Sequence, residues 1–299
     1  MKNILFFGAT GKLGKYWVKN LSSRNKVYCN IHLNKKIHET KNIKKVKINL
    51  DKKEDIYSFC ELNDISIIIS CVGLTSVEKC EKEKKNALKI NYKIPSELCK
   101  ISKKINVPFI HISTDMLFSG ESKKKYNEKS LYSPINEYSR TKVKAEKFIL
   151  KYKKSLIIRA NFFGLGEKLN RTISDKLINE QKLKKKTYLW NDIYFTPIYI
   201  PNLIYFINLL IKKKSTGIFN ISSDECISKY DFGLSIIKKI IKNNKIISNK
   251  FDEKNFVIRP KNMCLSNNKL KKKLEKYQNR LTLRYQLDAF LKDYKIINE

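Results

Sequence analysis

Short apolar runs alternate with amphipathic stretches from residue 2 to about residue 160. The runs at Lys2–Phe7, Val27–Ile31, Lys45–Ile48, Ile65–Val72, Val107–Ile112 and Ser155–Arg159 predict strands. Helical spacing predicts helices over Lys15–Ser22, Ile56–Leu62, Glu78–Asn91, Pro95–Lys104 and Glu137–Tyr152. ISIIISCV at 65–72 is apolar almost throughout, as a parallel strand covered on both faces must be. Regular alternation of strand and helix specifies an α/β sheet of parallel strands joined by right-handed crossovers. Beyond residue 160 the pattern loosens. Strands are expected at Thr187–Trp190 and Gly217–Ile221, with helices at Lys229–Lys242 and Leu281–Lys292. This part reads as a smaller, partly interleaved lobe. Residues 1–160 plus about 199–220 are assigned to the sheet domain, and about 161–198 plus 221–299 to the lobe.

Composition narrows the function. Of 299 residues 42% are hydrophobic, enough for a sizeable core. Lys plus Arg number 63 against 28 Asp plus Glu, a formal net charge of +35. Such a balance suggests nucleic acid or an anionic membrane. Yet the charge is mostly Lys and is spread along the chain, in company with the Asn, Ile, Tyr and Phe of A/T-rich codons. It reads as solvated helix faces and loops. The field it creates would still draw in an anionic substrate. The seven cysteines (29, 60, 71, 80, 99, 226 and 264) form no C-x-x-C pair, and there are three histidines, which makes a zinc site improbable. Their odd number is expected of a reducing compartment. The N-terminal apolar run is too short for a signal peptide. The greasiest segment, Tyr194–Ile211, is interrupted by Thr196, Pro197, Pro201, Asn202 and Asn208, so it is expected to be strand, turn and buried helix rather than a membrane span. A cytoplasmic protein, bound neither to membrane nor to nucleic acid, is the resulting expectation.

The first turn reads Gly8-Ala-Thr-Gly11-Lys-Leu-Gly14, between a strand and a helix. That is the context of a dinucleotide-binding loop and points to a Rossmann-like, doubly wound sheet. Gly8 permits the turn, Gly11 lets the backbone approach a pyrophosphate, and Gly14 allows close helix–strand packing. Thr10, Lys12 and Leu13 complete the loop and the helix start, whose dipole favours phosphate. NAD sites commonly place an acidic residue at the end of the second strand. Here the chain reads Cys29-Asn-Ile-His32-Leu-Asn-Lys35-Lys36, with cations in place of a carboxylate. NADP(H) is favoured and NAD(H) remains possible.

Tyr138 and Lys142 stand four apart in a predicted helix, hence on one face. A tyrosine of pKa ~10 is a poor proton donor or acceptor at neutral pH, and an adjacent ammonium lowers that value. The pair can then exchange a proton with a carbonyl or alcohol oxygen. Thr114 precedes them just past a strand end, where side chains face the ligand crevice of a parallel sheet.

Hydroxyl, tyrosine and lysine in that order after a glycine loop resemble the extended short-chain dehydrogenase/reductases. Within them the chain is most similar to the sugar-nucleotide reductases related to dTDP-4-dehydrorhamnose reductase. The resemblance runs almost end to end: GATGKLG at 8–14, CVGLTSVEKCE at 71–81, KINYKIPSEL at 89–98, ISTDMLFSG at 112–120, EYSRTKVKAE at 137–146, IRANFFG at 158–164, and later NDIYFTPIY, GIFNISSDECISKYDFG and IRPKNMCLSNNKL. It implies that Tyr138 donates the proton, that Lys142 tunes it and binds ribose, and that Thr114 holds the substrate oxygen. It further implies cofactor contacts at Asn49, Cys71, Val72, Gly73 and Asn91, and substrate contacts at Thr75, Met116, Asn161 and Arg259. Two positions depart from the family pattern: Met116 replaces a common aromatic, and Asn49, with Asp51 close by, replaces a common Asp. The implied activity is NAD(P)H-dependent reduction of a nucleotide-linked 4-keto-6-deoxy sugar for surface polysaccharide or O-antigen synthesis, with no metal and with a homodimer as the assembly considered. Two alternatives stay open: an epimerase or dehydratase on the same fold, and a non-catalytic cofactor-binding regulatory subunit.

Overall fold

The computed structural model describes residues 1–31, 37–50, 52–166, 172–242 and 244–298. The chain divides into two compact units: Met1–Ser113 with Asn136–Ile158 and Leu210–Ile218, and Thr114–Ile135 with Arg159–Leu209 and Phe219–Glu299.

The first unit is organised by a sheet containing β1 (Asn3–Phe7), β2 (Lys26–Asn30), β3 (Ile43–Val46), β4 (Ile65–Ser70), β5 (Phe109–Ile112) and β6 (Ser155–Arg159). A seventh strand, Gly217–Asn220, borders β6, and the order from that edge is Gly217–Asn220, β6, β5, β4, β1, β2, β3. All pairings from β3 to β6 are parallel. Strand order reverses between β1 and β4, which is where ligands bind in sheets of this kind. The helices are α1 (Lys12–Leu21), α2 (Lys53–Leu62), α3 (Val77–Lys82), α4 (Lys84–Leu88), α5 (Ile94–Lys104) and α6 (Glu137–Ile149). Alternate side chains of a strand face opposite ways. In β1, Leu5 and Phe7 join a core with Ile56, Leu98, Phe109, Ile149 and Ile157, so α2, α5 and α6 cover that face. Phe6 points the other way and meets Trp17 of α1 edge-on, with ring centroids 5.5 Å apart.

Several predicted elements shift at their ends, the third strand to Ile43–Val46 among them, and two departures bear on the site. The strand expected over Ile65–Val72 ends at Ser70. Cys71 N–H still bonds Phe7 O at 2.9 Å, and the chain then turns away as the segment Cys71–Thr75. The single helix expected over Glu78–Asn91 is broken at Glu83 and finishes in a π-helical turn, Lys89–Lys93, that leads into α5. Pro95 accounts for the wide turn: it has no N–H to give a carbonyl one turn back, and its ring crowds that carbonyl. The inserted residue turns Asn91 inward, where it is fully buried.

The second unit is built from short strand pairs. Asn161–Phe163 runs parallel to Pro197–Tyr199, Tyr194–Phe195 antiparallel to Ile227–Ser228, and Thr187–Trp190 parallel to Ile246–Asn249. Its core is aromatic: Phe163, Phe195, Tyr199, Phe232 and Phe290 are buried together. The helices expected from Lys229 and near Leu281 run Lys229–Ile237 and Leu283–Asn298. Cys226 and Cys264 form a disulfide, whereas the sequence suggested thiols throughout; the other five cysteines are free. The pairing needs two segments 38 residues apart to meet, which no local pattern announces. No described helix is long and apolar enough to cross a membrane.

Candidate active site

The glycine loop is shaped by contacts that exclude side chains. Gly8 has φ +88°, and a Cβ there would lie 2.7 Å from the backbone carbon and oxygen of Cys71. A Cβ on Gly14 would lie 2.2 Å from Gly8 O. Strand end and helix start can therefore approach only as glycines. Gly11 N–H closes the turn on Gly8 O at 3.0 Å, and Gly11 is the N-cap of α1. Thr10 lies in the turn, and Lys12 and Leu13 begin the helix. The first turn of α1 carries no acidic side chain and no side-chain cap, so nothing there offsets the positive end of the helix dipole. Asn49 lies between β3 and α2, where its carbonyl accepts from Lys52 N–H at 3.2 Å. His32, Lys35, Lys36 and Asp51 lie outside the described residues.

Asn91 ties the segment after β4 to α6. Its Oδ1 accepts from Leu74 N–H at 2.8 Å, and its Nδ2 donates to Leu74 O at 3.1 Å and to Thr141 Oγ1 at 3.2 Å. Thr141 in turn donates to Tyr138 O at 2.8 Å. Tyr138 stands in the first turn of α6, where Asn136 caps the helix by accepting from Ser139 N–H at 2.9 Å and from Ser139 Oγ at 2.7 Å. One turn on, Lys142 is buried and donates from Nζ to Ile112 O at 3.1 Å. Burial pulls its pKa down to about 8, against the opposing charge of Glu146. A Cβ on Gly73 would lie 3.6 Å from Lys142 Nζ, 3.7 Å from Asn91 Oδ1 and 3.7 Å from Thr75 Cγ2. Gly73, Thr75, Asn91 and Lys142 thus converge, with Cys71 and Val72 just before Gly73. His111 of β5 is fully buried; burial and then the Lys142 charge push its pKa well below the usual range, so it stays neutral.

In the second unit, Thr114 Oγ1 donates to Asp115 Oδ1 at 3.2 Å and accepts from Met116 N–H at 3.3 Å. Asn161 Nδ2 donates to Asp115 Oδ2 at 2.7 Å. Thr114, Asp115, Met116 and Asn161 therefore form one group. Burial raises the pKa of Asp115, while the nearby Lys229 ammonium opposes the shift. Lys229 is itself pulled down to about 8 by burial, opposed by Asp115 and reinforced by Arg259. Its Nζ lies 3.2 Å from the centroid of the Phe195 ring. Arg259 donates to Val257 O at 2.9 Å and stacks over Trp190 and Phe251.

Sequence reasoning did not single out Lys229, Ser113 or Glu146. Lys229 opens an ordinary-looking helix in a lysine-rich chain. Glu146 does carry a signal, since it continues the four-residue spacing of Tyr138 and Lys142. Among the described residues no cluster of three His, Cys, Asp or Glu side chains could hold a metal ion.

Comparison with known proteins places this geometry in a family. The model described as RmlD substrate binding domain matches residues 1–296. The dTDP-4-dehydrorhamnose reductase of Aggregatibacter actinomycetemcomitans is 23% identical over 287 residues, covering 90% of this chain and 92% of that protein. The crystal structure of a hypothetical dTDP-4-dehydrorhamnose reductase from Sulfolobus tokodaii superposes with a TM-score of 0.80 at 28% identity, over 91% of this chain and 94% of that one. The dTDP-4-dehydrorhamnose reductase of Bacillus anthracis, solved in complex with NADP, has a TM-score of 0.79 at 22% identity, over 94% of this chain and 99% of that one.

Proposed function

The chain belongs to the RmlD substrate binding domain family, and from that membership we propose that it reduces a nucleotide-linked 4-keto-6-deoxy sugar with NADPH. The loop fits a dinucleotide: Gly8 and Gly14 make a turn that a Cβ would fill, and Gly11 caps a helix whose first turn carries no acidic side chain. Gly8, Thr10, Gly11, Lys12, Leu13 and Gly14 would hold the pyrophosphate, and Asn49, Cys71, Val72, Gly73 and Asn91 the remainder. When bound, NADPH supplies the hydride to the keto carbon.

Tyr138 gives its proton to the keto oxygen as the carbon is reduced, which leaves an alcohol, and recovers a proton from solvent. Lys142 favours the phenolate by its charge and binds ribose. Thr114 hydrogen-bonds the same oxygen. Thr75, Met116, Asn161 and Arg259 contact the sugar nucleotide. The observation that carries the reading is the buried Lys142 ammonium, held on Ile112 O one helical turn from Tyr138 and beside Gly73 and Asn91. A buried cation is costly and needs a purpose or a partner. The named relatives work on dTDP-linked sugars, which supports a deoxythymidine nucleotide; similarity to the spore coat polysaccharide biosynthesis protein SpsK of Bacillus subtilis, 27% identical over 242 residues, supports a place in polysaccharide synthesis. A cytoplasmic location and a homodimer complete the reading, the latter checked by light scattering.

Following NADPH absorbance with dTDP-4-dehydrorhamnose tests the reaction. One NADPH should be consumed per sugar, whereas an epimerase would consume none. Tyr138→Phe should lower kcat by about 10²-fold or more while NADPH still binds. Full activity in that variant would refute the catalytic reading.

A further inference from the structure

The end of β5 meets α6 through two consecutive residues. Ile112 offers its carbonyl to Lys142 Nζ at 3.1 Å, and Ser113 donates its hydroxyl to Glu146 Oε1. Ser113 is held in place by its own N–H, which bonds Ile158 O of β6 at 2.7 Å. Glu146 is 0% exposed. Tyr138, Lys142 and Glu146 follow one another at four-residue intervals, so they form one stripe along the helix.

We infer that Ser113 and Glu146 are positioning residues: a buried hydrogen-bonded counter-charge that fixes the Lys142 ammonium one turn from Tyr138. The inference rests on the role given to Tyr138 and Lys142 above. A buried ammonium tends to shed its proton, and a neutral lysine neither lowers a phenol's pKa nor holds its place by charge. Each titratable group facing Lys142 bears on this. Cys71 follows β4 and Cys80 lies in α3; burial raises both thiols, so they are neutral at pH 7. His111 of β5 is neutral as well. Glu146, on α6 itself, is the group whose charge most strongly opposes the effect of burial on Lys142. The Ser113 hydroxyl then aims that carboxylate, which long side chains otherwise leave to rotate.

Glu146→Gln keeps the shape and can still accept from Ser113, but it removes the charge. Two readouts are expected to move. The first is the stability of the cofactor-free protein against pH. The Lys142 pKa is depressed in the fold, to about 8 from ~10.4 unfolded. Its burial penalty is therefore fully present below about 8 and is relieved as pH rises from there to ~10.4. Without Glu146 the folded pKa falls further and relief starts earlier. Glu146→Gln should gain in Tm relative to the parent as pH rises from 7 to 9, on the order of one pH unit of earlier onset. The second is the alkaline limb of kcat/KM for dTDP-4-dehydrorhamnose reduction, which should move down by about one pH unit. Ser113→Ala should move both the same way by a smaller amount, and it decides the matter if Glu146→Gln does not fold. A pH-independent Tm offset, or an unmoved limb in a folded variant, overturns the inference, because a merely structural contact would act equally at every pH. Tyr138→Phe separates the layers. If it stays active, the catalytic reading fails and takes this inference with it. If it is inactive beside an unmoved limb, only the anchor is wrong.

Discussion

Gly14 leaves no room for a side chain, since its Cβ would sit 2.2 Å from Gly8 O and 2.9 Å from Ala9 Cα. Both are backbone atoms, so relief requires the strand end and α1 to part. Gly14→Ala should destabilise the protein by about 1–3 kcal/mol, as overpacking does, and abolish NADPH binding. Urea unfolding and fluorescence titration would check the two effects. Gly73 is the contrasting case. A Cβ there makes only ordinary contacts at 3.6–3.7 Å, so Gly73→Ala should unfold within about 0.5 kcal/mol of the parent. Any loss of NADPH affinity in that variant would then report contact with the ligand. The spacing of Gly8, Gly11 and Gly14 was legible in the sequence, as was that of Tyr138 and Lys142, because each motif lies within one turn or one helix. The Asp115–Asn161 bond and the Lys229 charge beside Asp115 were not. They join residues far apart in the chain, and nothing near them in sequence marks the meeting.

At the level of elements, α6 carries the weight of the site. Asn136 is its cap, fully buried, and serves two donors of Ser139 at once. Asn136→Ala should cost about 1–2 kcal/mol in urea unfolding, at the upper end for a cap because the Ser139 hydroxyl loses a buried acceptor. The first turn, with Tyr138, would loosen, and kcat should fall more than NADPH affinity. The start of α6 was readable from the helical spacing that begins at Glu137; the cap at Asn136 was not singled out. The break in the predicted 78–91 helix was not readable. Composition there favours helix throughout; Pro95 accounts for the π turn, and the Asn91 side chain, by satisfying Leu74 N–H and O, shows why it is tolerated.

For the molecule as a whole, the net charge of +35 is a field rather than a set of contacts. It should raise the encounter rate with an anionic nucleotide sugar and be screened by salt, with a Debye length of about 10 Å at 0.1 M. Raising NaCl from about 0.05 to about 0.5 M should lower kcat/KM several-fold and leave kcat unchanged, as steady-state assays at each salt would show. Alternation of apolar runs and amphipathic stretches determined the parallel sheet, because period and length are properties of neighbouring residues. So did the glycine loop and the tyrosine–lysine turn. Tertiary structure alone decided that Ser113 meets Glu146, that Asn91 turns inward, that Cys226 finds Cys264, and that Lys142 among so many lysines is buried. Burial and long-range pairing depend on which strand ends and helix faces come together. Those depend on the entire chain, and with them the protonation of the groups that the chemistry requires.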